Sequence, residues 1–378
     1  MTARQIAARV GEGVAAFDPV EWDRCAGPDN PFTTHAFLSA LEESGSATAA
    51  AGWQPVPIAI DGADGRLAAV MPAYAKSHSQ GEYVFDHAWA DAFERAGGRY
   101  YPKLQIAVPF TPVPGRRLLT DEPSLAPGLI AAAEELVRQN GLSSAHATFI
   151  APSEAPLFER AGWLIRVDSQ FHWHNDRYGC FDDFLATLSS RKRKAIRKER
   201  IAALEGLTVE HVTGGAIAER HWDAFWTFYQ DTGARKWGRP YLTRSFFSLL
   251  GQKMADRLLL ILAIRDGKPI AGALNLVGAD ALYGRYWGTI EEVPNLHFEI
   301  CYYQAIEAAI ARGLKRVEAG AQGGHKLSRG YRPVPTFSAH YLAHSGLRKA
   351  VAEYLSHERA AVAHEIRALE EMTPFKKG

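Results

Sequence analysis

Two stretches of the chain, far apart, share one pattern. Residues 56-VPIAIDGADGRLAAVMPAYAKSHSQGEYVFD-86 alternate apolar segments with the turn signals DGADG and KSHSQGE. Residues 259-LLILAIRDGKPIAGALNLVGADALYGRYW-287 do the same around an Asp-Gly turn. Each predicts three antiparallel strands. The echo continues in 128-GLIAAAEELVRQNGLSSAHATFIAP-152 and 301-CYYQAIEAAIARGLKRVEAGA-321. In both, apolar residues recur every three or four positions, a Gly (Gly141, Gly313) stops the helix, and a strand follows. A unit of three strands, a helix and a strand, written twice, predicts a duplicated α/β domain.

The 378 residues suffice for two or three domains. The expected boundaries are 1–168 for the first domain and 169–345 for the second, then a C-terminal helix over 346–378. The second domain carries an insertion, about 189–255, that holds a basic segment, a short strand and two aromatic-rich helices. The formal net charge is only +1, which excludes a protein that coats nucleic acid along its whole surface. Three scattered cysteines and the lack of a CxxC argue against a metal ribbon and fit a reducing compartment. No long apolar run suggests a signal peptide or a membrane span, so a cytoplasmic protein without membrane insertion is expected.

Several motifs resemble a known family. The segment 189-SSRKRKAIRKER-200, a following strand and 221-HWDAFWTFYQDTG-233 are similar to the FemAB-like branch of tandem GNAT-type acyltransferases. The stretches 81-GEYVFDHAWADAFERAGGRYYPKLQIAVPFTPVPGRRLL-119 and 318-EAGAQGGHKLSRGY-331 resemble bacterial N-acyltransferases grouped with peptidoglycan biosynthesis. The resemblance covers about 30–360. It implies an α/β (α+β) fold of duplicated GNAT-type domains, each with a mixed, largely antiparallel sheet flanked by helices. It also implies transfer of an acyl or aminoacyl group to an amine by direct attack. The donor would be acyl-CoA or aminoacyl-tRNA, with no tightly bound cofactor. The sequence departs from the family of coenzyme A users in lacking a clean pyrophosphate loop, which favours aminoacyl-tRNA.

The candidate site residues fall in four places. The basic segment holds seven Lys or Arg in twelve residues, offset only by Glu199. On a helix, Arg191, Lys194 and Lys198 form one stripe and Arg193, Arg197 and Arg200 a second. Leu188, Ala195, Ile196 and Ala203 face inward, and Ser189 or Ser190 caps the start. This is either a solvated face or a phosphate clamp, and Arg191, Arg193, Lys194, Arg197 and Lys198 are assigned to donor phosphates. The Gly-rich loop after the last repeat strand gathers Glu318, Gln322, His325, Lys326 and Arg329. It is either a plain connection or a site, with His325 and Glu318 as catalytic groups and Gln322 and Lys326 on the substrate. In the first domain, Asp86 and His87 at a strand end and Lys103 and Gln105 on the next strand are expected to line a substrate cleft. Last, strand alternation puts Arg285 and Trp287 on one face, against substrate, and Tyr286 on the other, where it could donate a proton. Glu299 would recognise an amine or cap its helix.

No metal site is expected. His172-x-His174 fits strand alternation, and Cys301 reads as a buried thiol. The expected partners are a small-molecule or peptide amine and tRNA, not DNA. A reading of another class stays open: a non-catalytic module on the same fold that grips RNA or an anionic metabolite.

Overall fold

A computed structural model describes residues 7–236, 240–320 and 323–376. The chain forms two compact units, residues 1–168 with 335–363, and residues 169–334 with 364–378.

In the first unit, strands Trp53–Pro55, Ala73–Lys76, Lys103–Ile106 and Ser144–Ile150 lie side by side in that order. Only Lys103–Ile106 and Ser144–Ile150 run parallel. Residues 337–342 then pair antiparallel with Ser144–Ile150. A second, antiparallel sheet holds Ala8–Val10, Ile58–Asp61, Leu67–Met71 and Leu119–Thr120. Helix Ala126–Gln139 presents Leu129, Ile130, Ala133 and Val137 to a core with Ile58, Met71, Leu104 and Ala145. Its spacing is the amphipathic one that the sequence shows. Gly141, at φ 60°, takes the left-handed turn that ends it.

The repeat was only partly foreseen here. Pro72 separates Leu67–Met71 from Ala73–Lys76, and the two strands belong to different sheets. No strand runs through 77–86; Asp86 instead precedes helix His87–Arg95. Residues 335–345, expected in the second domain, lie in the first unit because 337–342 complete its sheet.

In the second unit, strands Thr208–Thr213, Leu258–Arg265, Lys268–Val277, Ala281–Thr289 and Arg316–Glu318 lie in order, with residues 172–174 at the far side. The three expected strands over 259–287 are all present. The stretch 189–255 is no separate appendage, since its strand Thr208–Thr213 pairs with Leu258–Arg265 as part of the sheet. The aromatic helix Glu219–Lys236 packs on strands Lys268–Val277 and Ala281–Thr289. Gly288 allows that approach, because a Cβ there would lie 2.2 Å from the backbone of Phe228.

Two irregularities shape this sheet. Leu274 pairs with Tyr286 but Asn275 pairs with Gly284, so Arg285 is the extra residue of a β-bulge. Strand Ala281–Thr289 also runs parallel to Arg316–Glu318 for only three pairs, ending at Tyr283 and Glu318. Beyond that pair the strands diverge. The next helix begins at Leu296, passes through a π-helical turn at Glu299–Tyr303, and continues as Gln304–Ala311. Such turns shift side chains relative to a regular helix and are frequent at functional sites.

Candidate active site

Where the two parallel strands of the second unit diverge, a cavity of about 130 Å³ opens. One wall is Ala273 and Asn275, a second is the bulged run Gly284 to Trp287, and a third is His297, Cys301 and Tyr302. Ala319 forms the end of the cavity that follows Glu318. A wider groove of about 490 Å³ shares Trp287 and His297 with it. That groove is bordered by Thr289, Glu291, Glu292 and Pro294.

Each wall follows from local structure. The bulge breaks the strict alternation expected of strand Ala281–Thr289. Arg285, Tyr286 and Trp287 all border the cavity, and the Arg285 guanidinium lies 5.2 Å from the centre of the Tyr286 ring. Tyr286 packs edge-on against Tyr229 and Phe247. Trp287 meets the ring of His297 at 5.4 Å. Cys301, read as a buried thiol, is half-buried and lines the cavity.

The loop after the strand Arg316–Glu318 supplies the charged groups. Lys326 is 1 % exposed. Its Nζ donates to Gly320 O at 2.8 Å. Burial pushes Lys326 down to about 8, with Arg285 adding to the effect. Glu318 is buried and accepts from Arg316 Nε at 2.8 Å. Burial raises its carboxyl above the ordinary range, against the pull of Arg316. His172 Nε2 lies 3.8 Å from Glu318, and burial holds its imidazole down at about 3. His325 is exposed, yet its Nε2 shares a hydrogen bond of 2.8 Å with Tyr302 Oη. Its ring also lies within 6.1 Å of His297 and 5.6 Å of Phe298. Gln322 lies outside the described residues.

The basic segment forms helix Ser190–Ala203. Ile196 and Ala203 are buried, as expected, while Ala195 is exposed and neither serine caps the helix with its side chain. Its inner face is fastened by charge. Arg200 donates to Glu299 and to Glu307 at 2.7–3.0 Å. Glu199 accepts from Tyr303 Oη at 2.5 Å and from Arg329 Nη2 at 3.0 Å. Arg329 in turn stacks on Phe298, 3.4 Å from the ring centre. Glu299 is thus wholly buried and occupied by Arg200, not placed to meet an amine. On the outer face Arg197 reaches Asp182 at 2.8 Å. Arg191, Arg193, Lys194 and Lys198 have no carboxylate partner among the described residues. The helix therefore presents unneutralised positive charge beside the loop that carries Lys326.

In the first unit the expected cleft is absent. Asp86, Lys103 and Gln105 are 3 %, 0 % and 0 % exposed, and only His87 reaches the surface, stacked on Phe85. Lys103 Nζ donates to Asp86 at 2.5 Å and Glu82 at 2.7 Å, and Gln105 donates to Thr148 at 3.0 Å. These residues are polar because they face each other, not a ligand.

Sequence reading missed Asn275 and the cavity role of Cys301. Asn275 had a visible signal, a single amide in the apolar strand 270-IAGALNLV-277. Cys301 had none, since its exposure depends on the π turn.

The sequence matches, over residues 13–377, the FemAB-like family model, described as peptidoglycan biosynthesis/recognition. The chain belongs to the FemAB-like family. No curated protein matches it. Among solved structures it is similar to FemX, with 13 % identity and a TM-score of 0.56, covering 89 % of this chain and 98 % of FemX. It is also similar to L-PGS from Bacillus licheniformis, with 11 % identity and a TM-score of 0.52, covering 85 % of this chain and 94 % of the other. A conserved protein of unknown function from Bacteroides thetaiotaomicron gives 11 % identity and 0.53, over 89 % and 100 %. At these identities the likeness is one of fold. The observed elements, strands of mixed and largely antiparallel pairing with helices against them in both units, agree with the expected α/β class.

Proposed function

We propose that the second unit transfers an acyl or aminoacyl group from a phosphate-bearing donor to an amine. The observation that carries this reading is the cavity between the diverging parallel strands, together with buried Lys326 in the loop that follows its wall residue Ala319 and the basic helix packed on that loop. In this reading the amine nitrogen attacks the donor carbonyl carbon, and the bond to the leaving oxygen or sulfur breaks. The proton lost by the amine balances the one taken up by the leaving group. No covalent enzyme intermediate is needed, so the protein's work is to orient two reactants and to stabilise the oxyanion.

Lys326 suits the oxyanion. With a pKa near 8, it carries a proton at neutral pH and sits where water is excluded, so its charge acts at full strength. Tyr286 borders the same cavity and is assigned to the leaving group. Glu318 and His325 act through others: Glu318 holds Arg316, and His325 holds Tyr302.

The donor is read as aminoacyl-tRNA. The loop between strand Ala281–Thr289 and helix Leu296–Ala311 carries Glu291 and Glu292 and no Lys or Arg. Glu291 there is paired with Arg265, and the loop itself offers no cation to a pyrophosphate, so donor phosphates are assigned to Arg191, Arg193, Lys194 and Lys198 instead. Acyl-CoA is the alternative donor. The family description favours an acceptor amine of peptidoglycan type.

The test is to titrate the full chain with a pool of aminoacylated tRNA at near-physiological salt and follow the ester in the presence of amines. Binding, with ester consumed faster than in buffer, supports the reading. Saturable binding with no consumption supports the binding-module reading instead. If acetyl-CoA is consumed and tRNA is not bound, the donor assignment fails.

A further inference from the structure

The cavity in the second unit holds an acceptor that no group among the described residues satisfies. Asn275 is 0 % exposed. Its Nδ2 faces two backbone carbonyls, Leu259 O at 3.4 Å and Ala273 O at 3.3 Å. Turning the amide over would set its oxygen against those same carbonyl oxygens, so the orientation is fixed. Among the described residues Oδ1 then has no hydrogen-bond donor, although Asn275 lines the cavity. A buried amide oxygen without a donor is costly and uncommon in a central strand.

The residue opposite keeps that oxygen open. Asn275 pairs with Gly284, next to the bulge at Arg285. A Cβ at position 284 would lie 3.4 Å from Oδ1. Glycine leaves that space to the cavity.

We propose that Asn275 Oδ1 accepts a hydrogen bond from an N–H of the amine bound in this cleft and so fixes the direction of its lone pair. This rests on the reading of the cleft as a site of transfer to an amine. The chemistry of the acceptor matters. A carboxylate at this place would favour the ammonium form and hold its proton. A neutral amide oxygen accepts from ammonium and from free amine alike, so the nitrogen can lose its proton and remain in place. The ligand is a primary or secondary amine; a nitrogen without a hydrogen is not recognised.

The chain has five asparagines, at 30, 140, 175, 275 and 295. Full-length protein labelled with ¹⁵N-asparagine therefore gives few side-chain amide signals, and Asn275→Ser identifies the one from position 275. Titration with methylammonium is expected to shift that signal, and titration with tetramethylammonium is not. A signal that stays still with both, or moves equally with both, overturns the proposal. Gly284→Ala keeps Asn275 and sets a methyl group against its oxygen. It is expected to weaken methylammonium binding by about three- to ten-fold, the worth of one hydrogen bond. Unchanged binding in Gly284→Ala also overturns the proposal. For the transfer reaction, Asn275→Asp is expected to move the acid limb of the pH–rate profile to higher pH, which a merely structural role would not do. An amine-specific shift in a protein that transfers no acyl group would uphold Asn275 as an amine acceptor and refute the transfer reading, so the two fail separately.

Discussion

The parallel strand pair occurs in both units, and its surroundings differ. In the first unit, Lys103–Ile106 runs beside Ser144–Ile150, and the polar groups near their starts are closed upon each other. Lys76 and Lys103 face Glu82 and Asp86, all at most 4 % exposed. Tyr100 Oη donates to Asp86 at 2.8 Å, and His146 Nδ1 meets His340 Nδ1 at 2.8 Å. In the second unit, Ala281–Thr289 parts from Arg316–Glu318, and the polar groups there border a cavity. One frame serves two ends. Matched charges without space make a scaffold, and polar groups beside a space make a site.

The largest effect is expected where the matching is broken. Lys103→Met leaves Glu82 and Asp86 buried without their strongest partner. The expected loss is about 3–5 kcal/mol of stability, the cost of removing one member of a buried ion pair. Denaturant unfolding of parent and variant measures it. A loss below 1 kcal/mol would mean that the carboxylates are not held as charges, and the scaffold half of the comparison would fall.

A second prediction concerns acid. His146 in the first unit and His172 in the second are both held down at about 3 by burial. Above pH 6.5 neither state of the chain binds a proton at these positions. Below it the unfolded chain does and the folded chain does not, so stability falls as the pH drops from 6.5 toward 3. Between pH 6.5 and 5 each imidazole contributes roughly 2 kcal/mol of loss. Glu82, raised to about 7 by burial, acts in the opposite direction between 4.5 and 7. The comparison to make is therefore the pH slope of the parent against His172→Gln. A shallower acid slope in the variant is expected, and an identical slope would contradict a buried neutral His172.

The smallest effect sharpens the site half. Arg191→Ala with Lys194→Ala removes two unpaired surface charges from helix Ser190–Ala203. Stability is expected to stay within about 0.5 kcal/mol of the parent, as for surface substitutions generally. Donor affinity is expected to fall several-fold at low salt, with a reduced salt dependence. Equal affinity across salt concentrations would detach the helix from the donor.

Much of this architecture was legible in the sequence, and the reasons are local. Alternation and the Asp-Gly turn marked all three strands between Leu258 and Thr289, and Gly141 and Gly313 marked two helix ends. The missed features depend on distant partners. Nothing near Asp86 shows that Lys103 will neutralise it, so a buried pair reads like a cleft. Nothing near Glu299 announces Arg200, 99 residues away. The pairing of 337–342 with Ser144–Ile150 is equally non-local. The bulge at Arg285 interrupts the strict alternation on which the face assignment rested, because one extra residue shifts the two-residue period.

The most direct test of the account is acyl transfer by Lys326→Met. Lys326 is buried in the loop that follows the cavity wall residue Ala319 and, among the described residues, makes one hydrogen bond, to the backbone, so its loss removes a charge without breaking an ion pair. The variant is expected to unfold at nearly the parent's temperature, to bind donor as tightly, and to transfer about 10²-fold more slowly, as for loss of an oxyanion donor. Transfer at the parent's rate in a folded Lys326→Met protein would place the chemistry elsewhere than in the cleft of the second unit.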